Sequence, residues 1–513
     1  MVQGTTSHSG KTLLVTAFCR LFSRLGYRVS PFKAQNMSLN SAVTKEGLEI
    51  SRAQALQALA AGIEATVDMN PILLKPKNSK MCQVIVHGRP KFDLSYRDYM
   101  TKFAAKEGFE IVSESYGRLS SDYEVIVIEG AGSPAEINLR HDIANIRVAK
   151  MAHAPVILVA DIDRGGVFAS LVGTINLLKE NGRELVKGFI INKLRGDPTL
   201  LAEGIKIVQK VTGKEVLGVI PYIKDLSLPQ EDSLSLESHQ SSSRSRFDVA
   251  IVRLPHISNF TDFDPLCAIE DVRLRYVSSS DELGTPDALI IPGTKNTMSD
   301  LKWLVRRGFT HGISRIASLR IPVIGICGGY QMLGKKLIDK KGIDSGSSAI
   351  LNGIGLLDVS TEFDRYAKTT GNVSAVAVGG GPILNQIKGL AVDGYEIHMG
   401  SSMLGPGARP AFKFVARGGL RDALDGAVDP SGLILGTYLH GIFDKPPFRN
   451  ALLGYLAARK GLRPPTQSSR SVCRKWILSI NRVANVVERN LDISEVYRIT
   501  GLKTRDSERK PIH

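Results

Sequence analysis

The sequence predicts two α/β domains in series, each built on a largely parallel sheet. Three observations predict this. Short β-branched runs alternate with amphipathic, helix-periodic stretches along most of the chain. A Gly-Lys-Thr sequence at residues 10–12 stands directly in front of one such helix. A second strand–glycine–helix passage, residues 321–334 (IPVIGICGGYQMLG), carries a cysteine at its turn.

A chain of 513 residues is expected to hold two or three domains rather than one. Residues 1–232 read as the first. Their apolar runs at 125–128 (VIVI), 155–160 (PVILVA) and 188–191 (GFII) are separated by amphipathic stretches, the pattern of βα units. Residues 233–246 (SLSLESHQSSSRSR) are polar, serine-rich and without apolar periodicity, which reads as a linker. A second α/β series occupies 247–460, with strand-like runs at 247–255 (FDVAIVRLP), 287–292 (DALIIP) and 321–326 (IPVIGI). Residues 365–390, rich in Gly, Ala, Val and Thr, read as strands and turns. From about residue 450 the pattern turns helical. Residues 461–513 are read as a helical extension ending in a polar tail, 504–513 (TRDSERKPIH), expected to be mobile.

The composition, 43% hydrophobic and 23% charged, is ordinary for a globular protein. The net charge of +16 comes from Lys and Arg spread along the chain, with no long block of like charge. A general basic habit of the proteome explains this first and an anionic small substrate second; with no RNA- or DNA-binding motif, nucleic acid is not an expected partner. Five cysteines are too few and too scattered for a disulfide framework, and no C-x-x-C pair suggests structural zinc. Of these, Cys19, Cys82, Cys267 and Cys473 read as small buried side chains. No leader pattern and no membrane-length apolar run is present. The expectation is a cytoplasmic enzyme without a membrane partner, its oligomeric state left open.

The first motif runs Gly4-Thr5-Thr6-Ser7-His8-Ser9-Gly10-Lys11-Thr12 before the apolar-periodic stretch 13–22 (LLVTAFCRLF). Glycines let backbone N–H groups turn inward, Lys11 reaches outer phosphates and the Thr12 hydroxyl is placed to ligate Mg²⁺. Five residues separate Gly4 from Gly10, where the common pattern has four. A serine-rich helix cap is the bland alternative, but Gly-Lys-Thr favours a nucleotide. The loop begins three residues into the chain, so its leading strand is either minimal or continues upstream. Glu129 closes the run VIVI ahead of Gly130-Ala131-Gly132, at a strand end where ligands gather in open α/β sheets. Glu49 opens a helical stretch, 49–61 (EISRAQALQALAA). By itself it reads as a helix-start carboxylate.

The second motif is more specific. Cys327 sits between Gly325 and Gly328 where a β-run meets helix-forming residues, the build of a nucleophile elbow. A helix N-terminus there favours the thiolate, and the Gly328 N–H can face an oxyanion. The turn at Gly293 offers a second donor. His440, after the strand-like run 433–444 (LILGTYLHGIFD), is the favoured base, with His398 as its competitor.

A glutamine-hydrolysing cysteine beside an ATP site points to amidation: ATP activates a carboxylate as an acyl phosphate, and ammonia freed from L-glutamine displaces the phosphate. Residues 3–7 (QGTTS), 32–37 (FKAQNM), 70–76 (NPILLKP), 83–88 (QVIVHG), 129–139 (EGAGSPAEINL) and 160–168 (ADIDRGGVF) strengthen this, as do 291–297 (IPGTKNT), 394–400 (GYEIHMG) and 438–444 (YLHGIFD). With these strings the chain resembles the cobyric acid synthase family from residue 3 to about 500. The resemblance implies an N-terminal domain like dethiobiotin synthetase and a C-terminal class-I-like glutamine amidotransferase domain. It implies a corrinoid substrate, amidation of the b, d, e and g carboxylates of adenosylcobyrinic a,c-diamide, and the use of ATP and Mg²⁺. By position it also implies Thr12, Glu49 and Glu129 as Mg²⁺ ligands, Lys11 and Lys33 as phosphate or carboxylate contacts, Asn192 near the adenine and Asp142 near the acyl phosphate.

Two departures stand out. His8 occupies a loop position usually acidic in the family, and Ile442 stands where an ordinary amidotransferase triad has Glu. The family lacks that acid too, so a Cys327–His440 dyad with slower glutamine hydrolysis is expected. The rivals are the sister enzyme that amidates the a and c side chains, a partition-type ATPase, and a corrinoid binder without activity. The absent signature lysine near the loop start counts against the second, and intact Lys11, Thr12, Cys327 and His440 against the third.

Overall fold

A computed structural model describes residues 1–136, 142–229, 245–417, 422–465 and 472–503. The expected linker therefore lies almost wholly outside the described residues, and the polar tail lies outside them entirely. Two α/β bodies are present, as the alternation of runs predicts.

In the first, Val2–Gly4, Val156–Asp161, Val186–Leu194 and Glu215–Pro221 pair in parallel in that order. Val29–Phe32 and Val125–Ile128 pair in parallel beside them, joined through a parallel bridge between Val2 and Glu129. Every residue of Val156–Asp161 is buried, which is why that strand reads as an unbroken apolar run. Among the residues present the leading strand is Val2–Gly4, and its successor Thr5 is tied to the sheet through Thr5 N–H donating to Val159 O at 2.9 Å. Helix Lys11–Arg24 then buries Leu14, Val15, Phe18, Leu21 and Phe22 against this sheet.

A smaller mixed sheet, Gln35–Met37, Ile72–Pro76, Met81–Val86 and Arg89–Ser95, projects toward the second body. Here one expectation fails. Glu49 does not start a helix: Glu49–Ser51 is a short strand paired antiparallel with Ser41–Val43, and the helix Arg52–Ala61 begins after the Ser51 cap. The β-branched Ile50 and the Ser51 side chain, which accepts from Ala53 N–H at 3.3 Å, place the boundary there.

The second body centres on parallel strands ordered Val272–Val277, Phe247–Val252, Ala288–Ile291, Val323–Ile326 and Ile434–Thr437, with Ala427–Val428 antiparallel at one edge. A mixed sheet and an antiparallel sheet flank it; the antiparallel one contains Thr369–Ala377 and Ala391–His398, matching the strands and turns expected for 365–390.

The helical extension does not extend away from the molecule. Helices Val472–Asn490 and Ile493–Thr500 return to the first body, where Ile480, Val483, Ala484 and Val487 pack with Leu14, Phe18 and Phe22. Arg20 Nε donates to Asn481 Oδ1 at 2.8 Å. Of the four cysteines read as buried, Cys19 and Cys82 are, whereas Cys267 and Cys473 are exposed. Both sit on helices whose outer face meets solvent rather than a core. Among the described residues no helix is long and apolar enough to cross a membrane.

Candidate active site

At the carboxyl end of the first sheet the loop before helix Lys11–Arg24 opens into a cavity of about 890 Å³. Gly10, Lys11, Thr12, Lys33, Glu129 and Asn192 all line it. Gly10 adopts φ 101°, and a Cβ there would overlap the Asn192 side chain; Asn192 Nδ2 instead donates to Ser9 O at 2.9 Å, bracing the loop. Gly4 and Thr5 lie at the base of the loop and do not line the cavity. Lys11 Nζ folds onto Thr6 O (2.9 Å) and Gly132 O (3.0 Å), carbonyls that a phosphate oxygen would replace as its partners. His8 takes φ 60° at the cavity mouth, and its carbonyl accepts from Lys193 Nζ at 2.6 Å.

Glu129 is the electrostatic centre of this site. It is fully buried, and its Oε1 accepts from Thr12 Oγ1 and Lys33 Nζ, each at 2.8 Å, while Gln57 donates to Oε2. A hydroxyl and a carboxylate side by side, facing room for phosphate oxygens, form a donor set that fits Mg²⁺. Glu129→Gln removes the negative charge 2.8 Å from the buried Lys33 ammonium, a change expected to destabilise the fold by about 3–5 kcal/mol. Thermal unfolding should register that loss, and nucleotide-dependent turnover should fall with it.

The structure does not bring Glu49 to this cavity. Its Oε1 accepts from Lys75 Nζ and its Oε2 from Lys368 Nζ, each at 2.6 Å, with Ser41 Oγ also on Oε1 at 2.8 Å. Burial opposes ionisation of Glu49, but the two ammonium groups outweigh it and hold the carboxyl well below the usual range. Both oxygens are thus taken up between the two bodies, which is the physical reason it leaves the metal set. Asp142 does not line the cavity either. Its carboxylate caps a turn, accepting from Ala144 N–H and Asn145 Nδ2, each at 2.8 Å, and burial pushes its pKa up despite them. Asn145 in turn donates to Ala131 O at 2.7 Å, so Asp142 braces the Gly130–Gly132 turn from behind.

In the second body Cys327 stands between strand Val323–Ile326 and helix Gly328–Leu333 at φ 52°, ψ −109°. A non-glycine residue held there stores about 1–3 kcal/mol of strain, as a nucleophile elbow does. The turn closes because its neighbours lack side chains: a Cβ on Gly328 would strike Thr294, and one on Gly329 would overlap the Ile291 carbonyl. Gly329→Ala is therefore expected to break the elbow. Soluble yield and the rate of ammonia release from glutamine, measured together, should both fall sharply.

His440, not His398, is the partner of the cysteine. The fully buried imidazole interacts with Cys327 and presents Nδ1 to Asp262 Oδ2 at 2.6 Å. Burial disfavours the imidazolium, but the charge and hydrogen bond of Asp262 more than offset this and raise His440 to about 10. Gly293 lies under the ring, where a Cβ would come within 3.0 Å of His440 Cε1. This leaves room for the base, and a Cβ built on Gly328 would lie 3.2 Å from Thr294 N. His398 lines the same cavity but stacks on Tyr438 at 3.7 Å between ring centres, with Glu396 3.5 Å from its Nε2.

Three features escaped the sequence reading. Asp262 makes the expected dyad a Cys–His–Asp arrangement; it lies on the short turn Phe260–Phe263 after the first strand of the second body, and its place at a strand's carboxyl side was the available signal. Gln331, one helical turn beyond Cys327, reaches into the cavity while donating to Met399 O at 2.8 Å. Lys75, from the first body, lines the cavity beside Cys327; it falls within the string 70–76 (NPILLKP), which by itself gave it no role.

A phosphate loop in one body and a cysteine elbow in the other define the class. Residues 1–236 match the CobQ/CobB/MinD/ParA nucleotide binding domain, and residues 248–448 match the CobB/CobQ-like glutamine amidotransferase domain. The protein is a nucleotide-binding glutamine amidotransferase. It is 50% identical over 513 residues to the cobyric acid synthase of Pelotomaculum thermopropionicum, an alignment covering 98% of this chain and 96% of that one. With the cobyric acid synthase of Moorella thermoacetica it shares 48% over 507 residues, covering 98% and 97%. The chain belongs to the cobyric acid synthase family.

Proposed function

We propose that the protein amidates the b, d, e and g carboxylates of adenosylcobyrinic a,c-diamide, using ATP and L-glutamine, to give adenosylcobyric acid. The observation that carries this reading is the end-to-end likeness to cobyric acid synthases, 50% identity across 98% of the chain, with both half-sites intact. The charge of +16 suits a polyanionic corrinoid.

In this reading Lys11, Lys33 and the loop N–H groups hold the ATP phosphates while a substrate carboxylate attacks the γ-phosphorus in line, releasing ADP and forming an acyl phosphate. Thr12 and Glu129 would hold Mg²⁺, which would neutralise charge on the phosphates. Asn192, at the loop's flank, faces the adenine, and Asp142 keeps the turn beside the acyl phosphate in place. In the second body the Cys327 sulfur attacks the side-chain amide of glutamine, with Gly328 N–H facing the oxyanion. His440 then gives its proton to the departing nitrogen, ammonia leaves, and water hydrolyses the thioester to glutamate. Ammonia displaces phosphate from the activated carboxylate to form the amide.

The test supplies Mg·ATP, glutamine and adenosylcobyrinic a,c-diamide and follows corrinoid mass over time. Successive losses equal to OH replaced by NH₂, ending at adenosylcobyric acid, support the reading. Amidation of cobyrinic acid at a and c instead would assign the chain to the sister reaction.

A further inference from the structure

We propose that the α-carboxylate of glutamine is bound by a lysine rim built from both bodies of the chain, with Lys295 as its direct anchor. This rests on the glutaminase reading of Cys327 and names the part of that site that selects the substrate.

The cavity beside Cys327 is bordered by three ammonium groups. Lys75 comes from strand Ile72–Pro76 of the first body, Lys295 from the turn after Ala288–Ile291, and Lys368 from the residue before Thr369–Ala377. Glu49 lies behind two of them, at 2.6 Å from Lys75 Nζ and 2.6 Å from Lys368 Nζ. One carboxylate between two ammonium groups leaves the rim with excess positive charge. Lys77, nearby, is matched by Asp93 at 2.8 Å.

Lys295 is different. Among the described residues its ammonium has no hydrogen-bond or ion-pair partner, although it lines the cavity. Burial, together with the charges of Lys368, Lys77 and Lys75, pushes its pKa down to about 7. A carboxylate arriving at this point supplies the missing counter-charge and restores the ammonium form. Asp344 lines the same cavity and favours the charged form of Lys295. The rim therefore offers both poles that the zwitterionic end of an amino acid requires, while the far end of the same molecule reaches Cys327. The cavity is narrow, about 40 Å³, room for a few waters. The flexible lysine stems have to swing aside as glutamine enters, as a four-carbon stem permits.

The experiment compares L-glutamine with L-glutamine α-amide, the same molecule with its carboxylate neutralised, by ammonia release. Wild type should prefer glutamine in kcat/KM by about 10- to 100-fold, the worth of one charge-assisted contact. Lys295→Met should raise KM for glutamine by a similar factor, with the larger change in KM rather than kcat, and should bring the preference close to one. Equal use of the two substrates by wild type overturns the proposal, as does a Lys295→Met enzyme that keeps the preference. Should Lys295→Met not fold, Lys295→Gln takes its place, and the wild-type comparison decides the matter without either. Absence of ammonia release from glutamine by wild type would instead overturn the glutaminase reading itself.

Discussion

Cys327→Ala is expected to lower glutamine-dependent amidation by at least about 10⁴-fold, because a nucleophile that forms the covalent intermediate has no substitute in the site. Amidation driven by ammonium should persist in the same protein. The argument is geometric. Cys327 is the residue that the strand Val323–Ile326 and the helix Gly328–Leu333 present at a strained turn, and the nucleotide cavity draws none of its lining from that turn. Alanine removes the sulfur and leaves the backbone to hold the same angle. Corrinoid mass spectra with each nitrogen donor check it. Retained glutamine use, or loss of activity with ammonium as well, would show that the two half-sites are not divided as described.

The second large effect belongs to Asp262. Asp262→Asn keeps the shape but removes the charge that holds His440 Nδ1 at 2.6 Å. Its other oxygen would still accept from Gly441 N–H (3.0 Å) and Tyr395 Oη (3.2 Å), which favours an amide whose nitrogen confronts the imidazole. The base is then left in the wrong tautomer, a change that lowers turnover by about 10²–10⁴-fold in comparable triads. The pH dependence follows from the same contact. With Asp262 present the His440 pKa lies near 10 against an ordinary 6.5. Stability from this raised pKa is fully present below 6.5 and is lost as pH climbs through about 10. The stability gap between wild type and Asp262→Asn should accordingly be widest on the acid-to-neutral side and close in strong alkali. Glutaminase rates and thermal midpoints across pH test both parts. A variant within a few-fold of wild type would return the site to the dyad that the missing Glu at position 442 suggests.

What the sequence disclosed and what it hid divide along chain distance. Gly10-Lys11-Thr12 and the passage around Cys327 were legible because each packs strand end, turn and helix start into one short stretch, so chemistry and backbone geometry share a local signature. His440 was legible because a strand-like run ended on it. The two-body layout followed from runs such as 155–160, whose burial on both faces leaves no polar alternation. Glu49 misled for the opposite reason. Its role depends on Lys368, 319 residues away, and neither residue's neighbours announce the other. Asp262 and Lys75 were missed on the same account: each is ordinary in its own segment and acquires a role only when strands distant in sequence are brought edge to edge. Cys267 and Cys473 were judged by residue type alone, which does not say which face of a helix is wet.

The helices Val472–Asn490 and Ile493–Thr500 lie on the flank of helix Lys11–Arg24, and this has a consequence for the order in which the protein is made. A ribosome delivers the phosphate-loop helix before the whole second body and its covering helix after it. Between those moments Leu14, Phe18 and Phe22 have no lasting neighbour on that side, while the whole glutamine-hydrolysing body emerges and folds as an insert. The half that begins translation first is thus the half that finishes folding last. A cut anywhere ahead of Val472, whether by a protease or by a split gene, separates the nucleotide-binding body from its own final layer rather than trimming an appendage from the far end.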